Sequence, residues 1–443
     1  MGELRPPTLI AKMQNDQLSL QDIEALEREA LQAVRTGRDH EAIRLWNRIL
    51  AIDARHPRSL KAVAQYAFRK GDMETARGMF QRLVDADGSD VQHWTSLALA
   101  CQKLGDEDGE ASAIQRALSL DPLDLVGLIL RASLFERQGK THQAATVYGA
   151  VAAVCPPMER LAPDLRPALA HALAFRQKYM VEFGASLDRY LDPMRAAFAG
   201  EDLRRFDESV DIVLGKKRRY DSQSVMYHYP GLATMEFFDR KEFPWLDQVE
   251  AATQDMRDEF IEVLRTEEGF TPYITYPPDV PHNQFAELNN SPRWSAFHLY
   301  EKGKRNDRNA ARCPRTMGVL DAVPQPDQPG RTPTAMFSLL KPRTRIPPHN
   351  GVTNVRLVTH LALIIPEKCG FRVGNQTREW VPGKAWVFDD TVEHEAWNDS
   401  DKLRVVLIFD IWHPHLTPPE RAMITAFTAG MNEFSGDAIA FEP

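Results

Sequence analysis

The chain has 443 residues, of which 43% are hydrophobic and 26% are charged, and its formal net charge is −8 at pH 7. This is the composition of a globular protein with several domains, and it excludes extensive disorder and collagen-like repeats. The negative charge argues against a general nucleic-acid-binding surface, and the four cysteines, which form no CxxC pair, encode neither a zinc knuckle nor a disulfide framework.

The N-terminal stretch Met1–Asp16 lacks the apolar core of a secretory signal. The chain also contains no apolar run of about eighteen residues, the length that a membrane-spanning helix needs. We therefore predict a soluble, cytoplasmic protein with no membrane span and no nucleic-acid partner.

A 34-residue period marks the first part of the chain, where Gly37, Gly71, Gly105 and Gly139 follow one another at that interval. Each glycine separates two amphipathic patterns of helical periodicity, as in LKAVAQYAFRKGDMETARGMFQRLV. The pattern predicts that each glycine ends one helix in a left-handed conformation, which a side chain would disfavour, just before the next helix begins.

Small residues recur five positions after three of these glycines, at Ala42, Ala76 and Ala144, where two helices are expected to cross closely. In the third repeat Glu110 stands at this position. The pattern resembles an array of four tetratricopeptide repeats, to which we assign residues 17–157. Such an array implies an α-solenoid whose concave surface binds a peptide or protein, although a rigid spacer or a dimerisation platform fits the same helices.

The pattern changes to strands after a predicted helical connector at residues 158–222. Apolar and β-branched runs then alternate with Pro, Gly and Asn-Asp signals, and one helix is expected at about residues 245–264. The strand-like runs are TAMFSLLK, VRLVTHLALIIP, KAWVFDD and RVVLIFDIW. We assign residues 223–443 to a double-stranded β-helix of the jelly-roll type, which encloses a small-molecule site between two sheets. The predicted fold is therefore multidomain α + β.

Two histidines at strand ends are the first candidates for chemistry. His349 precedes the run VRLVTHLALIIP, and His394 precedes RVVLIFDIW. A metal with two imidazole ligands keeps open coordination positions for small molecules. This suits a non-haem Fe(II) better than a structural zinc, which takes four protein ligands. A facial triad would also need a carboxylate two residues after the first histidine, but Gly351 occupies that position. Acidic residues that could supply the missing ligand, none at the customary spacing, are Asp389, Asp390, Glu393 and Glu395.

A family resemblance accounts for this glycine. The stretches PPHNGVTNVRLVTHLALIIP, WVPGKAWVFDDTVEHEAWNDS and LRVVLIFDIWHPHLTPPER resemble the aspartyl/asparaginyl β-hydroxylase family of 2-oxoglutarate-dependent dioxygenases. The resemblance covers about residues 225–425. It implies iron bound by two histidines alone, with glycine at the carboxylate position, and His349, Gly351 and His394 match that pattern.

The same resemblance implies a site for 2-oxoglutarate. Arg404 matches the arginine that pairs with the distal carboxylate of this cosubstrate, and Ser338 matches a serine at the same carboxylate. His360 matches a histidine near the other end of the cosubstrate. Val358 departs from the family, many members of which have an arginine there. Arg356 is predicted to lie on the same strand face as His360 and is a candidate to compensate.

The function implied is hydroxylation of an unactivated C–H bond with Fe(II), 2-oxoglutarate and O₂, most simply at the β-carbon of an Asp or Asn side chain in a protein that the repeats recruit. One alternative keeps the enzyme but changes its substrate to a lipid acyl chain or a free amino acid. Another is a non-catalytic repeat scaffold whose β-domain only binds.

Overall fold

The computed structural model describes residues 9–266, 268–277 and 285–435, so the first eight residues of the N-terminal stretch considered above lie outside it. The chain divides into two compact units, Met1–Arg205 and Phe206–Pro443. The domain boundaries expected from the sequence stay a prediction. Within the described ranges, no helix is both long and apolar enough to cross a membrane.

The first unit consists of antiparallel helical hairpins, as the 34-residue period predicts. Gly71 ends the third helix with φ of 82°, and Gly105 ends the fifth with φ of 73°, so the predicted left-handed ends are confirmed. The described residues of this unit form a 3₁₀ turn at Met158–Arg160 and the helices α1 (Leu9–Arg35), α2 (Asp39–Ile52), α3 (Pro57–Lys70), α4 (Met73–Ala86), α5 (Val91–Leu104), α6 (Glu107–Leu120), α7 (Leu125–Arg137), α8 (Thr141–Val154) and α9 (Arg166–Ala197).

The close-crossing positions of the repeats are buried. Ala42, Ala76 and Ala144 are at most 2% exposed, which confirms why small residues recur there. Glu110 is equally buried at 1%, and its carboxylate accepts hydrogen bonds from Arg137 Nη2 at 2.6 Å and Gln102 Nε2 at 3.0 Å. The third repeat therefore replaces a close apolar contact with an ion pair whose carboxylate is buried.

The second unit contains helices and two antiparallel sheets, and the expected strand runs are strands of the larger sheet. Its elements begin with α10 (Arg204–Val213), which crosses the unit boundary, and include a 3₁₀ turn at Arg240–Glu242. The helices that follow are α11 (Leu246–Ala251), α12 (Thr253–Thr266), α13 (Asp307–Ala310), α14 (Pro314–Leu320) and α15 (Pro418–Ser435). The strands are β1 (Thr271–Pro272), β2 (Trp294–Glu301), β3 (Lys304–Arg305), β4 (Ala335–Leu340), β5 (Thr344–His349), β6 (Arg356–Ile364), β7 (Cys369–Val373), β8 (Gln376–Arg378), β9 (Ala385–Phe388), β10 (His394–Asn398) and β11 (Arg404–Trp412).

The larger sheet has the strand order β1-β2-β4-β11-β6-β9, with β3 paired to β2, and the smaller sheet has the order β5-β10-β7-β8. One face of the larger sheet packs on α11, α12 and α14 through residues such as Phe337 and Leu407. Its other face shares a second apolar core with the smaller sheet, to which Val358, Val406 and Phe371 contribute. The central strands β6 and β11 are thus buried on both faces, which explains their nearly continuous apolar sequences.

Candidate active site

A cavity of about 380 Å³ lies between the inner faces of the two sheets. The smaller sheet contributes His349 and His394 to its lining, and the larger sheet contributes Ser338, His360 and Arg404. The structure therefore brings together in one cavity residues that are up to 66 positions apart in the chain (404 − 338 = 66).

Strand pairing places the two histidines side by side. His349 on β5 and His394 on β10 are register partners, and their ring centroids are 4.0 Å apart. In each imidazole Nδ1–H donates to the main-chain carbonyl two residues earlier, that of Pro347 at 2.8 Å and that of Val392 at 3.0 Å. Because a carbonyl only accepts, these bonds fix the proton on Nδ1 and leave the Nε2 lone pair of each ring available to a metal.

Burial keeps both rings neutral at physiological pH. It lowers the pKa of His349 to about 3, with a smaller contribution from neighbouring His394, and the pKa of His394 to about 4. Neutral imidazole is the form that binds metal ions, so the pair needs no deprotonation before a metal binds.

A carboxylate fills the space beside Gly351. A Cβ atom built on Gly351 would lie 2.2 Å from Cγ of Asp390, so no side chain fits at the position where a facial triad has its acid. Within the described part of the chain, no group of three or more His, Cys, Asp or Glu side chains is placed to hold one metal ion. A metal held here by His349 and His394 would therefore have no acidic ligand among the described residues.

The four acids considered as alternative ligands have other partners. Asp389 accepts from the backbone N–H of Thr391 at 2.9 Å, and also from its hydroxyl. Glu393 and Glu395 both bind the guanidinium of Arg372.

Asp390 pairs instead with Arg356, at 3.0 Å between Oδ2 and Nη2. Arg356 faces the cavity beside His360, as the strand periodicity predicts, but its Nη1 also lies 3.4 Å from Oδ1 of Asp410. Burial alone would lower the pKa of Arg356, but the two carboxylates outweigh it and raise that pKa. Arg356, the candidate to compensate for Val358, is thus paired with two acidic residues.

Arg404 lies at the other end of the larger sheet's inner face and is 1% exposed. Its guanidinium carbon is 4.3 Å from the centroid of the Trp380 ring, and its Nε and Nη1 have no hydrogen-bond partner among the described residues. Burial lowers the pKa of Arg404 to about 10, which still leaves the group charged at neutral pH. Buried N–H groups of a cation that lack hydrogen-bond partners are costly, so this end of the cavity is suited to an anion.

Ser338 and His360 lie on strands that flank Arg404. Val406, two residues after Arg404 on the same face of β11, pairs with Ser338 on β4, and this puts the serine diagonally next to the guanidinium. The indole N–H of Trp294 donates to the Ser338 hydroxyl at 3.3 Å. His360 on β6 has no hydrogen-bond partner for Nδ1 among the described residues, and burial followed by repulsion from Arg404 lowers its pKa.

Asp410, which lines the cavity, and Trp380, which packs on the Arg404 guanidinium, were missed as site residues in the sequence. Both lie in stretches that carry the family resemblance, but neither was considered there as a functional residue. An acidic residue inside a run such as RVVLIFDIW was the available signal for Asp410, because an ionised group at a buried strand position needs a partner.

The chain is similar to known families in both units. The family model described as Aspartyl/Asparaginyl beta-hydroxylase matches residues 250–414, and a Tetratricopeptide repeat model matches residues 28–91 and 61–124. The chain is 33% identical over 220 residues to an aspartyl/asparaginyl beta-hydroxylase from Homo sapiens, covering 48% of this chain and 28% of that protein.

Two further relatives extend this comparison. An aspartyl/asparaginyl beta-hydroxylase from Mus musculus is 27% identical over 379 residues, covering 83% of this chain and 45% of that protein. An ornithine lipid ester-linked acyl 2-hydroxylase from Rhizobium tropici is 35% identical over 200 residues, covering 44% of this chain and 67% of that protein. The chain thus spans less than half the length of the two aspartyl/asparaginyl beta-hydroxylases.

Proposed function

The chain belongs to the aspartyl/asparaginyl β-hydroxylase family, and on that premise we propose that it is a dioxygenase that uses Fe(II), 2-oxoglutarate and O₂ to hydroxylate an unactivated C–H bond. One observation carries this proposal. A pair of neutral imidazoles, His349 and His394, shares a cavity with a buried guanidinium, that of Arg404, whose Nε and Nη1 have no hydrogen-bond partner among the described residues.

The donor set fits ferrous iron. Both Nε2 atoms are free to coordinate because each Nδ1 is already bonded, and two nitrogen ligands leave several positions open for small molecules. Bound iron would supply the oxidation of the C–H bond by O₂, coupled to the conversion of 2-oxoglutarate to succinate and CO₂. The contribution of His349 and His394 is to hold the metal at a fixed position in the cavity.

Arg404 would bind the distal carboxylate of 2-oxoglutarate through the N–H groups that lack partners, because a planar guanidinium accepts a carboxylate in a two-pronged contact. The Ser338 hydroxyl would donate to the same carboxylate, and the neutral ring of His360 would line the path toward the metal. Arg356 stays a candidate contact of the cosubstrate, since its Nη1 has no hydrogen-bond partner among the described residues, although two carboxylates already share its charge. In this reading residues 223–443 form a double-stranded β-helix catalytic domain.

The preferred substrate is a protein side chain, most simply the β-carbon of Asp or Asn. The array at residues 17–157 would recruit that protein, with residues 158–222 as a helical connector. Repeats of this kind present a concave surface to peptides, although the same helices could serve as a dimerisation platform.

A second candidate substrate is a lipid acyl chain, and the 35% identity to an ornithine lipid acyl 2-hydroxylase favours it. In both readings the same residues would bind the metal and the cosubstrate, and only the substrate that is hydroxylated differs. A non-catalytic scaffold is the remaining alternative, and the neutral histidine pair, which shares a cavity with Arg404, argues against it.

Anaerobic titration with Fe(II), followed by detection of succinate formed from 2-oxoglutarate on admission of O₂, tests the proposal. The unmutated chain should bind one iron per site and form succinate, and His349→Ala should do neither. Incubation with a proteome extract or with acyl lipids, and a search by mass spectrometry for added oxygen, then separates the two substrate classes. Failure to bind iron, together with absence of succinate, would favour the scaffold.

A further inference from the structure

Arg356 and Arg404 both line the cavity, but their guanidinium groups are held in different ways. Terminal nitrogens of Arg356 lie 3.0 and 3.4 Å from the carboxylates of Asp390 and Asp410. In Arg404, Nε and Nη1 have no hydrogen-bond partner among the described residues, and Cζ lies over the Trp380 ring, 4.3 Å from its centroid. A guanidinium has all its N–H donors at its edge and none on its faces. The contact with Trp380 therefore uses none of the donors of Arg404.

Packing, rather than a hydrogen bond, fixes the ring of Trp380. This residue lies between β8 and β9, is 4% exposed, and has no partner for its indole Nε1 among the described residues. The centroid of its ring is 5.4 Å from that of Phe371, and its plane is within 21° of the planes of Trp386 and His360. A buried indole usually pairs its N–H group. What this indole offers its neighbours is therefore a flat, fixed face.

Trp380 can affect a ligand only through Arg404, because Arg404 lines the cavity and Trp380 does not. The negative face of an indole attracts a cation without accepting its N–H hydrogen bonds. No hydrogen bond of Nε or Nη1 to the described residues selects an orientation of the Arg404 guanidinium. Without the indole, a ligand would have to order this flexible side chain on binding, and that ordering costs affinity.

We propose that Trp380 is a positioning residue for the cosubstrate, whose indole face holds the plane of the Arg404 guanidinium before a ligand arrives and leaves its N–H groups free for a two-pronged contact with a carboxylate. An acidic side chain could also hold a guanidinium, but it would share the charge, as two carboxylates do at Arg356. The inference rests on the proposed function, because it takes the ligand of Arg404 to be the distal carboxylate of 2-oxoglutarate.

Two 2-oxo acids provide matched probes of this role. 2-Oxopentanoate has the same carbon chain as 2-oxoglutarate, with a methyl group in place of the distal carboxylate. Their dissociation constants would be measured by ligand-observed NMR on the full-length chain loaded with Zn(II), so that no turnover is needed. In the unmutated chain 2-oxoglutarate should bind at least about thirtyfold more tightly, because only it pairs with the buried guanidinium. The ratio of the two constants isolates the distal carboxylate, since changes at the metal affect both acids.

Variants of Trp380 then test whether the flat face matters. Trp380→Leu removes the face and should lower the ratio at least about fivefold, whereas Trp380→Phe keeps a ring and should retain the ratio within about twofold. Phe237→Leu is the control, because it removes a buried ring of the same core whose aromatic contacts are with Phe371, Trp386 and Phe388.

Both leucine variants should lose stability in urea, but only Trp380→Leu should lower the ratio. An unchanged ratio in Trp380→Leu, an equal fall in Phe237→Leu, or an equal fall in Trp380→Phe would overturn the proposal.

The unmutated chain decides the question even if Trp380→Leu does not fold. In a chain labelled with ¹⁵N-arginine, the Nε–H signal of Arg404 is identified by its absence in Arg404→Lys. A guanidinium held on the indole should give this signal before any cosubstrate is added, shielded by the ring current of Trp380 and slow to exchange with water. A signal that is unshielded, or that is observed only after 2-oxoglutarate binds, would overturn the inference.

Failure of this inference and failure of the proposed function give different results. If the unmutated chain does not bind 2-oxoglutarate, or binds it no more tightly than 2-oxopentanoate, the proposed cosubstrate site is wrong. If 2-oxoglutarate is preferred but the preference is the same in Trp380→Leu, only the positioning role of Trp380 is wrong.

Discussion

Gly351→Ala tests whether the glycine is required because of Asp390. The added Cβ would lie 2.2 Å from Cγ and Oδ2 of Asp390, whereas ordinary contacts begin near 3.4 Å. The carboxylate would have to move by more than about 1 Å, and its 3.0 Å pair with Arg356 would be lost or stretched. Overpacking costs about 1–3 kcal/mol and breaking a buried ion pair adds to this, so we expect a loss of about 3–5 kcal/mol in the free energy of unfolding.

The measurement is equilibrium unfolding in urea, followed by tryptophan fluorescence, to which this unit contributes through Trp380 in its second apolar core and Trp386 packed against that core. Gly318→Ala is the matched control, since a Cβ there meets no atom within 4 Å, and we expect it to be neutral or slightly stabilising.

The double variant Gly351→Ala/Asp390→Ala then isolates the contact. In the Asp390→Ala background the carboxylate is absent, so Gly351→Ala should reduce the free energy of unfolding only slightly. This corresponds to a coupling free energy of about 1–3 kcal/mol between the two substitutions. A loss of less than about 0.5 kcal/mol in Gly351→Ala, or strict additivity in the double variant, would refute the explanation.

Three further predictions address other parts of the chain. Arg404→Lys keeps the charge but loses the planar fork, so affinity for 2-oxoglutarate in calorimetric titration should fall at least tenfold, and unchanged affinity would place the anchor elsewhere. Glu110→Ala removes a buried partner of Arg137, and because that guanidinium is partly exposed, thermal unfolding of the repeats should show a loss of only about 1–2 kcal/mol. Burial raises the pKa of Asp410 to about 6, above its unfolded value of about 3.9, so its contribution to stability is complete below pH 4 and is lost as the pH rises through 6. Over this range the unfolding free energy of the unmutated chain should fall relative to Asp410→Asn, by up to about 3 kcal/mol, and parallel pH profiles would contradict the assignment.

Periodic features of the fold were predictable from the sequence. The interval between Gly71 and Gly105 gave the repeat length, because a glycine that ends a helix has a local conformational requirement that can be recognised from neighbouring residues. The apolar runs of β6 and β11 were recognisable for a similar reason, since strands buried on both faces have few polar residues.

The contacts of the site were less predictable. His349 and His394 were singled out as histidines at strand ends and Arg404 through the family resemblance, whereas the pairing of Arg356 with Asp390 and Asp410 depends on how β6, β11 and the turn before β10 meet in space. Arg356 was correctly placed on the cavity face, but the charge available to a ligand depends on partners 34 and 54 positions away (390 − 356 and 410 − 356). No local rule specifies such partners.

The main-chain bonds that orient His349 and His394 bear on how the protein can diversify. Each Nδ1 is held by a carbonyl of its own chain segment, and a peptide oxygen is present whatever amino acid occupies that position. Neutral drift can therefore alter surrounding side chains without disturbing the presentation of the two ring nitrogens. Substitutions elsewhere in the cavity can thus change which compounds fit there while the two ring nitrogens keep their positions.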